Sequence, residues 1–161
     1  MKMKLLALPL LAALALTVPV SAAEKTKDHD HDHGHSHAKK EVGPNGGRLL
    51  TAIEPHVEFF VTADRKVQIT FLDASDRPVA PTSQVVTVTT GQRSAPTKLS
   101  FAKSGGVLLS DIALPAGNEL PTVVQIRLAP GGKLVTEKFN LNLAQCAECK
   151  HPEYACTCAE H

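Results

Sequence analysis

In the run 66–72, Val67, Ile69 and Phe71 fall on one side of an extended chain and Lys66, Gln68 and Thr70 on the other, an alternation broken only by Leu72 at its end. That period of two belongs to a β-strand with one buried and one wet face, and it excludes a helix over the same residues. Residues 56–62 repeat it with Val57, Phe59 and Val61 inward, and Asp64-Arg65 between the two runs predicts a hairpin. Further strands are expected over 84–90, 98–102, 107–111, 122–129 and 133–141. Ser104-Gly105-Gly106 and Pro130-Gly131-Gly132 supply turn residues that tolerate positive φ. Helix signals are lacking. The expected fold is therefore all-β: an immunoglobulin-like β-sandwich of about seven to eight strands over residues 43–143, immunoglobulin-like in layout only because no cysteine pair lies inside it. With no Trp and one Tyr, Tyr154 in the tail, the core is expected to be aliphatic with a few Phe.

The 161-residue chain opens on a segment of another kind. Lys2 and Lys4 precede an apolar run over 5–20 interrupted by Pro9 and Pro19, and small residues Ser21, Ala22 and Ala23 follow. This reads as a signal peptide over 1–23 cleaved after Ala22 or Ala23, implying a periplasmic or secreted protein. The alternative, an uncleaved anchor, is disfavoured because the run falls short of the roughly 20 residues a spanning helix needs. No cysteine stands at the cleavage site for a lipid, and nothing downstream suits membrane insertion. The 17 Lys and Arg against 16 Asp and Glu leave a formal charge of +1, which loss of Lys2 and Lys4 takes to −1. With no basic stripe and 4% aromatics, nucleic-acid binding is not expected.

Residues 24–42 hold almost nothing that can be buried, so they are expected to form a disordered tether reaching about 60 Å when extended. His29, His31, His33, His35 and His37 occupy every second position, with Asp28, Asp30 and Asp32 interleaved. Imidazole suits zinc, copper and nickel, and a flexible backbone lets several rings close on one ion while carboxylates add oxygen ligands. Such a site is unselective. Because free imidazole titrates near about pH 6.5, its capacity is expected to fall below roughly pH 6. The bland alternative is a solvated polar linker.

The other end, 144–161, carries Cys146, Cys149, Cys156 and Cys158 with His151 among them. A Cys-x-x-Cys knuckle followed by a second pair is a common source of tetrahedral zinc ligands, although the six residues between the pairs are fewer than in zinc ribbons. His151 could replace one thiolate or stand behind the ligands. Disulfides are the rival in an oxidising compartment, with cross-pairing favoured because Cys156 and Cys158 are too close to bridge without strain. A structural zinc can contribute on the order of 10 kcal/mol against roughly 2 to 4 for a bridge, which leans toward metal. Thiol redox catalysis through Cys146 and Cys149 is a third reading, without the βαβ pattern that normally surrounds it. His56 and His161 read as surface histidines. Met1 and Met3 leave with the signal peptide, so the mature chain has no thioether for a methionine-based copper(I) carrier.

Gly43-Pro44-Asn45-Gly46-Gly47-Arg48 lacks the Lys-Ser/Thr and the following helix of a phosphate loop and reads as a turn into a strand. No nucleophile elbow, paired catalytic carboxylates or His-Glu-x-x-His is present, so no enzyme is expected. The His-rich leader, Gly-Pro-Asn-Gly-Gly-Arg-Leu-Leu at 43–50, Val57-Glu58-Phe59-Phe60-Val61 and Arg77-Pro78-Val79-Ala80-Pro81 together resemble the small β-domain of periplasmic adaptor subunits in heavy-metal efflux systems of the resistance-nodulation-division type. The resemblance spans roughly residues 35–130. The chain lacks an adaptor's helical hairpin, lipoyl and barrel parts and adds the cysteine tail, so it resembles a stand-alone relative. This implies a periplasmic accessory protein that captures or buffers zinc, copper or a similar divalent ion and can hand it to an efflux adaptor or pump component. The alternative is a non-catalytic structural or interaction module with a disulfide-clipped tail.

Overall fold

The computed structural model describes residues 41–158. The expected signal peptide, residues 24–40 of the expected tether with His29, His31, His33, His35 and His37, and His161 lie outside the described residues, while Val42, at the tether's expected end, bridges to Arg48 and packs against the core. The strands are β1 (Arg48–Leu50), β2 (Val57–Val61), β3 (Val67–Leu72), β4 (Pro78–Val79), β5 (Val85–Gln92), β6 (Ala95–Leu99), β7 (Phe101–Ser104), β8 (Val107–Ser110), β9 (Glu119–Arg127) and β10 (Val135–Asn142). They form two antiparallel sheets, one ordered β1-β2-β3-β8-β7 with β4 also on β3, the other β10-β9-β5-β6. Among the described residues no helix is long and apolar enough to cross a membrane.

The period of two sets the layers. Val57, Phe59, Val67, Ile69 and Phe71 from one sheet and Val86, Val88, Val124, Ile126 and Leu141 from the other form one core, as a sandwich requires. The expected β2–β3 hairpin is present, in the register Val57↔Phe71, Phe59↔Ile69 and Val61↔Val67. Its turn places Arg65 at φ 61°, where the guanidinium donates to the carbonyls of Pro115 (2.6 Å) and Gly117 (2.7 Å).

The strands outnumber the seven to eight expected. The run anticipated over 98–102 divides at Ser100, where the chain passes from β6 in one sheet to β7 in the other. Asp111 holds that corner: its carboxylate accepts from the Ser100 N–H (3.0 Å) and its own N–H donates to the Ser100 carbonyl (2.9 Å). The short strands β1 and β4 are too brief to show an alternation.

The outer face of β2 and β3 is not wet where β2 meets the glycine-rich turn: Glu58 is 0% exposed and its partner Thr70 1%. Residues 43–47 fold over them. Glu58 Oε1 accepts from the N–H groups of Asn45 (2.8 Å) and Gly47 (2.9 Å), and Oε2 accepts from Asn45 Nδ2 (2.7 Å). A side chain at Gly43 would overlap the Glu58 carboxylate, and one at Gly47 the Phe59 carbonyl, so the glycines let the loop lie flat on the strand. A buried carboxylate is tolerable only because charge-assisted hydrogen bonds replace its hydration.

The core is not solely aliphatic and phenylalanine. A single 3-10 turn, Glu153–Ala155, packs against β1 and β10, the strands at one edge of each sheet. It buries Tyr154, whose ring meets Phe59 edge-on at 6.2 Å while Phe59 meets Phe139 of β10 at 5.3 Å. The Tyr154 hydroxyl accepts from the Val61 N–H at 3.1 Å. Arg48 crosses the same seam, its guanidinium 4.7 Å above the Phe139 ring and 3.5 Å from the Glu137 carboxylate.

Removing the Glu58 carboxylate strands three donors. Glu58→Ala is expected to lower unfolding free energy by on the order of 3 kcal/mol, and Glu58→Gln by about half as much, in chemical denaturation monitored by circular dichroism.

Candidate metal centre

Residues 144–158 fold back on themselves through their own backbone. The Cys146 N–H donates to the His151 carbonyl (3.1 Å), the Glu153 N–H to the Ala144 carbonyl (2.9 Å), and Gln145 pairs with Pro152 as an isolated β-bridge. The Gln145 side-chain amide donates to the carbonyls of Cys149 (3.1 Å) and His151 (3.0 Å), closing the loop around the first cysteine pair. Pro152, extended at φ −62°, ends that loop and starts the 3-10 turn, which delivers Cys156 back against Cys146.

The result is convergence of all four thiols. The sulfurs of Cys146, Cys149, Cys156 and Cys158 all lie within 4.8 Å of one another, Cys146–Cys156 at 3.4 Å and Cys149–Cys156 at 3.8 Å. With metal–sulfur bonds of about 2.3 Å, a tetrahedral tetrathiolate has sulfur–sulfur edges of about 3.8 Å, so the cluster already has the dimensions of a four-sulfur cage. None of the four cysteines forms a disulfide; Cys146 and Cys156 are buried, Cys149 and Cys158 partly exposed.

Backbone amides reinforce two of the sulfurs. The Glu148 N–H donates to Cys146 Sγ (3.5 Å) and the Cys158 N–H to Cys156 Sγ (3.3 Å), each from two residues downstream. Such donors offset thiolate charge and orient the ligand. Hydrogen bonding with the His151 backbone, working against burial, lowers the Cys149 thiol to about 7. Cys158 is pushed far above the usual thiol range, first by its contact with Cys156 and then by burial. The Cys158 amide pulls Cys156 down, but burial and the sulfurs of Cys146 and Cys149 outweigh it and raise the group. Four sulfurs this close resist joint ionisation unless a cation sits among them.

Of the residues singled out in the tail, the four cysteines come together and the His151 imidazole does not join them. His151 serves through its carbonyl, while its ring lies beside Gly46 of the glycine-rich turn, where an added Cβ would stand 3.5 Å from Nδ1. His56, expected at the surface, is partly buried and stands 3.2 Å from Asp76 and 3.5 Å from Glu54. The residue that sequence reasoning passed over is Tyr154: its one signal was a lone aromatic within a polar, cysteine-rich tail. No described protein family, curated protein or solved structure matches the chain.

In metal-free, reduced protein, Cys149 is expected to be alkylated first by iodoacetamide at pH 7, because it combines partial exposure with a thiolate populated near about pH 7. Its labelling should slow as pH falls through 7, and peptide mapping should find Cys146 and Cys156 modified last.

Proposed function

We propose that this chain is a non-catalytic, extracytoplasmic metal-binding protein whose four cysteines hold one thiophilic, tetrahedrally coordinated cation, with zinc the best fit. The observation that carries this reading is the mutual approach of four sulfurs within 4.8 Å on a backbone that supplies two N–H···S contacts. Thiolate sulfur selects soft or borderline ions, and four sulfurs in a tetrahedron suit zinc better than the square-planar preference of nickel(II) or copper(II).

The alternating His29 to His37 tract supports a second, weaker and less selective site for zinc, copper or nickel on the tether. A signal-like leader and the resemblance to efflux-adaptor β-domains support a periplasmic role in which the tether collects excess ion, the sandwich docks to an efflux component, and the cysteine site retains the cation. A second reading, a disulfide-clipped interaction module, is favoured by one contact: the Cys146 and Cys156 sulfurs lie 3.4 Å apart, and oxidation would need only a further approach toward about 2.05 Å.

Native mass spectrometry of the secreted protein, purified without a metal-affinity step, separates the two. The expected species carries one zinc and no disulfide. Cys146→Ser and Cys156→Ser should each lose that zinc to a mild chelator. Deletion of residues 24–40 should remove only the weaker ions, which otherwise dissociate below roughly pH 6. A protein that stays metal-free after reduction and zinc addition would overturn the proposal.

A further inference from the structure

Tyr154 sits inside the loop that a metal would close. Cys146 and Cys149 precede it, Cys156 and Cys158 follow it, and the residue itself is 4% exposed. The segment 144–158 touches the sandwich at separate points: Tyr154 against Phe59 and the Val61 N–H, and His151 against Gly46 of the turn that covers Glu58. The 3-10 turn lies on β1 and β10, so the segment straps the seam between the two sheets.

Resting on the reading that the thiols hold a cation, we infer that the metal centre and this seam are one coupled device: metal loading docks Tyr154 onto Phe59, and metal loss frees the strap. Linking the two cysteine pairs through an ion fixes the turn that aims Tyr154 inward, removing the entropy cost of closing that loop. The coupling is reciprocal, so docking of the ring strengthens metal binding although Tyr154 offers no ligand. When the strap lifts, it uncovers the Phe59 ring, leaves the Val61 N–H without the Tyr154 hydroxyl, and opens the β1 and β10 edges. A sandwich whose seam is closed only when metal is bound presents different surfaces in its loaded and empty states.

The chain has one Tyr and no Trp, so tyrosine emission reports the strap alone. In the reduced full chain, zinc is expected to protect Tyr154 emission from acrylamide quenching, with the change complete at one zinc, and a chelator should reverse it. Tyr154→Ala is expected to weaken zinc affinity at the thiol site by about tenfold, equivalent to about 1.4 kcal/mol, whereas Tyr154→Phe, which keeps the ring, should stay within a few-fold of wild type. Zinc binding that leaves wild-type quenching unchanged would overturn the coupling while sparing the metal site. So would wild-type affinity in a folded Tyr154→Ala protein. Failure of zinc to bind at all would overturn both. If Tyr154→Ala does not fold, the wild-type quenching result decides.

Discussion

The Phe59 ring is the contact on which the other parts converge. It is fully buried, pairs across the hairpin with Ile69, and meets Phe139 of the opposite sheet and Tyr154 of the C-terminal strap edge-on. Edge-to-face pairs are worth about 0.5 to 1.5 kcal/mol each beyond the area they bury, and two of them here tie three segments distant in sequence. The next residue back, Glu58, faces the other way and is gripped by the glycine-rich turn. β2 is thus held from both faces, by the glycine-rich turn on one and by aromatic rings on the other.

What packs there is the strap, and its own chemistry is in tension with itself. Four sulfurs in near contact raise one another's cost of ionisation, seen in the upward shifts of Cys156 and Cys158, while local amides favour the thiolate at Cys149. A cation relieves that tension. The arrangement gives a physical reason for reading the tail as a metal centre and for treating it as part of the domain, because the turn that brings the sulfurs together is the turn that buries Tyr154.

The strand pattern was legible because burial on one face of a sheet writes a period of two into the chain, and 66–72 and 56–62 folded as that period required. The same rule failed at Glu58 and Thr70. Their polarity marked an outer, solvated face, whereas a covering loop from residues 43–47 made them interior. Nothing in a local pattern announces a cover contributed by another segment. The break at Ser100 was missed for a similar reason: a strand that changes sheets keeps an extended backbone, and only its partners reveal the switch.

For the candidate site, composition supplied the candidate ligands: thiols and imidazoles in close spacing have the donor atoms a metal ion could use. The chain on its own also determined the two-layer β architecture, since alternation is a local consequence of one-sided burial. Only the tertiary structure decided which donors meet. It gathered the four cysteine sulfurs, turned the His151 ring toward Gly46, and placed Tyr154 in the core. Those outcomes depend on backbone hydrogen bonds closing a loop and on an aromatic surface more than ninety residues away along the chain from Tyr154, a distance over which sequence spacing carries no geometric information.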